Sequence, residues 1–272
     1  MKKIVFIMLS LLISISHISA ESPFVVIMYD SLTEKNIGDF PPNRKVWADT
    51  ISKLMEYNAN AIVLKFFFDL PKPEDDLLSK SIRCIPTFLQ ACINENEPSD
   101  NQLNSRFAIQ SDNSYKNVIS GKKGWVPVPV LSQNAYDIGF VDLRNVNEIP
   151  IIENFNNYYV KSLYFSVLQY MLPELKLVNN ALINKNKRIV LNKYLEMHVN
   201  YPKSDSIKYV SLYDVLNNKI ERNVFTNKIV IIGYDGINSQ TITLSTGQVN
   251  VHRAFVYGLY DMYNQLNEGK ID

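Results

Sequence analysis

Three aspartates, Asp30, Asp69 and Asp235, each closely follow an apolar run with the character of a buried strand. If those strands are neighbours in one sheet, the carboxylates meet at a single rim, where they could hold a cation or an amine. The plainer alternative is that each caps the turn or helix that follows it. Lys65 lies within another apolar run and shares a strand face with Val63 and Phe67. A buried ammonium there demands a carboxylate partner or a lowered pKa; on a less covered face the same lysine reaches water along its own stem. Arg44 opens a helical stretch, placed either to clamp an anionic ligand or to tie the preceding loop to Asp30. His252 begins the last helix beside Arg253. Without Cys or paired His at metal spacing, His198 and His252 do not make a zinc site, and neither metal nor cofactor is expected.

Catalytic signatures are missing. The chain has no Gly-x-Ser-x-Gly elbow, no phosphate-binding Gly-x-x-x-x-Gly-Lys-Ser/Thr loop, no His-Glu-x-x-His and no Gly-x-Gly-x-x-Gly. Sixteen tyrosines are spread throughout, and Tyr158, Tyr159, Tyr164 and Tyr170 suit a core helix better than a carbohydrate platform. An enzyme of unfamiliar type stays open only as a hydrolase built on the acidic rim.

The elements that must position these residues follow from periodicity. Ile229 to Ile232 are four β-branched residues that stop at Gly233 and a polar loop, the pattern of a central parallel strand buried on both faces. Phe24–Met28 is a second buried strand. Val46, Trp47, Ile51, Leu54 and Met55 recur at helical spacing over 43–57, and residues 61–68 follow as a strand, completing a βαβ unit. The sequence predicts a helix from the acidic residues at 74–76 to Arg83, a strand at 85–89, and a long polar excursion over 94–123 with a short strand at 107–109. Residues 125–131 alternate Val with Pro and read as an edge strand or extended connection. Residues 139–142 and 149–152 read as a hairpin, 159–172 as a buried helix stopped by Pro173, and 188–191 and 195–201 as strands. A short helix over 212–216 has Ser211 as N-cap, and an amphipathic helix over 251–266 closes the chain. The expectation is an α/β fold: a single domain with a mixed, mostly parallel central sheet flanked by helices. In such sheets ligands sit in the crevice beyond the carboxyl ends of the strands.

The amino terminus has its own logic. Met1-Lys2-Lys3, an apolar run from Ile4 to Ile15 and a small residue at Ala20 describe a secretory signal peptide over residues 1–20. The run is short for a membrane anchor. Its removal takes away two of the 28 basic residues, so 26 face 27 acidic ones and the mature chain carries a formal charge of −1. That balance argues against nucleic acid as partner. With no later segment apolar enough to span a membrane, the mature chain, residues 21–272, is expected to work outside the cytoplasm, in the periplasm or secreted. Cys84 and Cys92 are the only cysteines. An extended segment between them would hold them roughly 25 Å apart, against the 7 Å or so that a disulfide spans, so two buried free thiols are expected.

Taken in order, these elements resemble the type-2 CHASE domain, a sensory family found outside the bacterial cytoplasm and usually joined to membrane-bound cyclases and kinases. The resemblance rests on Tyr209-Val-Ser211, Asp214-Val-Leu216, the run Phe225-Thr-Asn-Lys-Ile-Val-Ile-Ile-Gly233, and Gly247-Gln-Val-Asn-Val-His252. At the amino end Asp30, Pro41, Arg44, Ala59, Ala61-Ile62 and, later, Asn200-Tyr201 fall at matching positions. The Trp-Pro-Trp-Pro-Arg block of the family is reduced here to Phe40-Pro-Pro-Asn-Arg44, Lys65 stands where the family strand carries Asp, and Asn250 replaces Glu. If those acidic groups touch a ligand, the ligand here differs. The resemblance implies a non-enzymatic sensory or ligand-binding domain that takes an unknown small ligand or protein and acts through a separate partner, a membrane-bound signalling protein being the implied output. A structural or protein-interaction module without a small-molecule ligand is the alternative, and the rim hydrolase a third.

Overall fold

The computed structural model describes residues 22–110, 115–202, 206–245 and 247–267. The expected signal peptide lies outside them. The chain begins β1 (Phe24–Asp30), α1 (Ser31–Ile37), α2 (Arg44–Glu56), β2 (Ala61–Leu64), α3 (Asp75–Cys84), β3 (Thr87–Ile93). The strand Ile229–Asp235 inserts between β1 and β2, parallel to both. Beyond β1 the sheet is extended by Lys208–Ser211, and beyond β3 by Asp137–Phe140, both parallel; Gly124–Trp125 adds antiparallel to the end of β3. The α/β fold with a mixed, mostly parallel sheet is therefore the one observed.

Two apolar layers cover this sheet, and β1 shows why. Phe24, Val26 and Met28 face one core with the helices Leu163–Met171 and Val251–Asn267; Val25, Ile27 and Tyr29 face the other with Trp47, Ile51 and Leu54 of α2 and Leu78 and Ile82 of α3. Alternation between two cores demands an apolar residue at every position, and Ile229–Ile232 obeys the same rule. Register then sets the rim: Asp30 lies opposite Asp235, and Ile232 opposite Leu64.

Several expectations change. Residues 61–68 do not form one strand: pairing ends at Leu64, the Lys65 N–H donates to the Ile232 carbonyl, and the chain then leaves the sheet. The expected hairpin of 139–142 with 149–152 is absent. Asp137–Phe140 pairs with β3, and Glu148–Pro150 with Glu196–His198, so long-range partners win over the local one. The buried helix starts later than expected, because Tyr158–Lys161 is a strand and Ser162 caps the helix by accepting from the Phe165 N–H. Of the strand expected at 107–109, Phe107 ends a 3₁₀ turn over Ser105–Phe107, and the strand is reduced to one antiparallel bridge, Ala108 with Val160. Ser211 holds the N-cap position before Leu212–Leu216 but makes no side-chain cap bond; the Thr33 hydroxyl accepts from the Tyr213 N–H instead. Both thiols are free as expected, yet Cys84 is exposed rather than buried.

Candidate functional site

A cavity of about 620 Å³ opens where the parallel strands end. Its volume falls within the range of roughly 300–1,000 Å³ typical of small-molecule sites. Four stretches build it. Phe40, Pro41, Arg44 and Trp47 come from the entry to α2; Lys65 to Phe68 from the chain leaving β2; Tyr234, Asn238, Gln240 and Ile242 from beyond the central strand; Val251, His252, Ala254 and Phe255 from the first turn of the closing helix. Gln90, Trp125, Val141, Leu143, Tyr164 and Tyr201 complete the wall. Ten of these residues are aromatic. Phe40 stacks on Tyr234 at 4.3 Å between ring centroids, and Trp47 meets Phe66 at 4.7 Å, so the aromatic wall is held by contacts of its own.

The loop over the cavity is pinned by α1. The Tyr234 hydroxyl donates to Glu34 Oε1 at 2.7 Å, the Ile237 N–H donates to Glu34 Oε2, and the Asn238 N–H donates to the Tyr234 hydroxyl. From Gln240 the chain continues into the paired segments Thr241–Leu244 and Gly247–Asn250, which lead directly into the closing helix.

Lys65 and His252 give the cavity its polar character. Lys65 Nζ donates to Gln90 Oε1 at 2.8 Å and lies 5.1 Å from the Phe255 ring centroid, and among the described residues it makes no salt bridge. Its side chain is half-buried and lines the cavity, and its ammonium is surrounded by protein. Burial draws its pKa down to about 8, opposed by Cys92 and Asp142. The Cys92 thiol is itself pushed by burial to about 12, so at neutral pH it is uncharged and Asp142 supplies the opposition. His252 Nδ1 is buried and has no hydrogen-bond partner. Burial first, and Lys65 second, lower the imidazole to about 3, which makes it neutral at physiological pH. The ring fits because Gly233 lies beside it: a Cβ at Gly233 would come within 2.9 Å of His252 Cβ.

Arg44, Asp30 and Asp235 have structural partners. Arg44 lines the cavity, but Nε donates to Asp75 Oδ1 at 2.6 Å and Nη2 to the Leu70 carbonyl, so it ties the cavity wall to α3 rather than the loop to Asp30. Asp30 is the N-cap of α1 and accepts from the Thr33 N–H, the Thr33 hydroxyl and the Ser211 hydroxyl. Asp235 Oδ2 accepts from Arg253 Nε and Nη2 at 2.9 and 2.6 Å, and its Oδ1 from Asn250 Nδ2. Asp69 is half-buried, and only its carbonyl is bonded, to Asn101. None of the three aspartates lines the cavity, and among the described residues no three of His, Cys, Asp and Glu gather as a metal site. His198 is exposed and meets Glu148.

A family model for the CHASE2 domain matches residues 7–258, a span that includes every residue of the cavity wall. The chain belongs to the CHASE2 domain family. No curated protein and no solved structure matches it. CHASE2 domains are extracytoplasmic sensors rather than catalysts, and among the described residues no helix is long and apolar enough to cross a membrane. In this CHASE2 domain three of the six sequence candidates, Arg44, Lys65 and His252, meet at the cavity. Gln90, Glu34 and the Phe66–Phe68 wall escaped sequence reasoning. No sequence signal marked the wall, since three consecutive phenylalanines fit a strand covered on both faces as well as a cavity lining.

Proposed function

We propose that this CHASE2 domain is a non-enzymatic sensor that binds a small molecule in the aromatic cavity and reports its occupancy to a separate partner protein. The observation that carries the reading is the cavity itself, which opens at the carboxyl ends of the central strands and is lined by two polar groups, Lys65 and His252, without ionic or hydrogen-bonding partners equal to their capacity. A ligand there touches Asn238 and Gln240 on the loop and His252 on the first turn of the closing helix. Binding can therefore bias the position of that helix, provided that its two positions differ in ligand affinity.

Export by way of residues 1–20 belongs to the same proposal. The fold begins at once after that segment: Ser22 is buried, its carbonyl accepts from Lys228 Nζ, and β1 starts at Phe24. Amino-terminal sequencing of the exported protein should therefore return Glu21 first.

The test of binding is thermal denaturation of the purified protein against a metabolite library. A ligand at about one hundred times its Kd adds about 2.7 kcal/mol and should raise Tm by about 5–10 °C. Ile242→Trp, which puts a larger side chain into the cavity wall, should abolish the shift. A library with no stabilising compound would favour the interaction module without a ligand.

A further inference from the structure

We propose, building on the sensory reading, that the ligand is a small aromatic carboxylate whose anionic head meets Lys65 and His252 while its ring lies among the aromatic side chains of the cavity. The charge argument comes first. Lys65 and Arg44 put two cations on the wall, and no aspartate or glutamate lines it. Arg44 already has Asp75. Lys65 carries three N–H groups, and the structure satisfies one of them, with Gln90. A desolvated ammonium with no carboxylate in contact is a costly arrangement in a folded protein, and an anion delivered by the ligand lowers the cost. The same ammonium repels a cationic ligand, so the aromatic wall is not a cage for a quaternary amine despite its composition.

The head group follows from the donors. His252 lines the cavity, and its neutral imidazole carries one N–H that can supply a second hydrogen bond to one carboxylate. Two donors and one positive charge suit a planar monoanion; a phosphate dianion needs more charge and more N–H groups than the wall offers. The body of the ligand follows from the rings, since offset and edge-on packing against Phe66, Trp47 or Tyr234 rewards a flat aromatic group.

The experiment is calorimetric titration of the whole protein with phenylacetate, 3-phenylpropionate and indole-3-acetate, and with the amide and the amine matched to each. At least one carboxylate should bind at least tenfold more tightly than its amide, and the amines should not bind. Lys65→Met should weaken the carboxylate at least tenfold and the amide less than threefold. A second readout uses the unmutated protein. Lys65 faces Gln90 and Cys92 on β3, Asp142 beyond the neighbouring strand, and His252 on the closing helix; of these His252 and Cys92 do not change charge between pH 7 and 9.5. Carboxylate affinity should fall as pH rises through about 8, where free Lys65 loses its proton, and Lys65→Met should flatten the profile. An amide or amine that binds as tightly as its carboxylate overturns the ligand class and leaves the sensory cavity standing. Failure of every compound, joined to a blank metabolite library, overturns both.

Discussion

Gly233 and His252 are in van der Waals contact across the junction of the central strand and the closing helix, with room for a hydrogen but not for a methyl group. The close approach lets the imidazole enter the cavity wall instead of being held off the sheet. Gly233→Ala should push the first turn of the closing helix outward and cost about 1–3 kcal/mol, as overpacking does. Urea denaturation measures it, and an unchanged midpoint would show that the helix yields without cost. The same variant should blunt any ligand-induced rise in Tm.

The Arg44 and Asp75 pair predicts a larger effect. Both side chains are close to fully buried, and Asp75 Oδ2 also accepts from the Lys72 N–H. Asp75→Ala leaves the guanidinium buried without its counter-ion and should cost about 3–5 kcal/mol. Replacing both partners with apolar residues, Arg44→Met with Asp75→Leu, should recover most of that loss. If the single and double variants are equally unstable, the lost hydrogen bonds to the loop, and not the stranded charge, are what matters.

The two thiols should behave differently. Cys84 is exposed on the last turn of α3, whereas Cys92 is half-buried and its thiol is pushed up to about 12. A maleimide at neutral pH should label Cys84 in the native protein and reach Cys92 only on unfolding, because the thiolate is the reactive form. Two equivalents taken up at once by the native protein would contradict this placement.

These residues also mark where sequence reading succeeds. Ile229–Ile232 could be placed at the centre of the sheet because a strand with apolar cover on both sides must be apolar at each position, and α2 because its buried residues recur at helical spacing. Lys65–Phe68 could not, since an apolar run is the same whether it pairs in a sheet or walls a cavity. Residues 139–142 read as half of a local hairpin, but the strand there, Asp137–Phe140, pairs with β3, some fifty residues earlier in the chain. Asp30 and Asp235 were legible as rim residues through their strands; that each is already held by Thr33 and Ser211 or by Arg253 depends on folded geometry.

The least legible feature is a carboxyl in the core, and it yields the last prediction. Glu153 is fully buried on the strand Ile152–Phe155, and its pKa stands well above the ordinary value of 4.5 because of burial and then the neighbouring Asp142. Asp142 accepts from the Ile93 N–H. Neither Glu153 oxygen has a conventional donor, which is the expected appearance of two carboxyls sharing one proton, with Glu153 carrying it. The native state thus holds a proton that the unfolded chain releases above pH 4.5, so stability contributed by this group falls as pH rises toward the folded-state pKa. Glu153→Gln keeps an N–H donor for Asp142 and cannot ionise. Relative to the unmutated protein its stability should rise by up to about 1.4 kcal/mol for each pH unit above 4.5, levelling off beyond the folded-state pKa. Taking the difference between the two proteins removes the contributions of His252 and Lys65, which titrate in both. A constant difference from pH 4.5 to 8 in urea denaturation would mean that Glu153 is ionised in the native protein and that the shared proton does not exist.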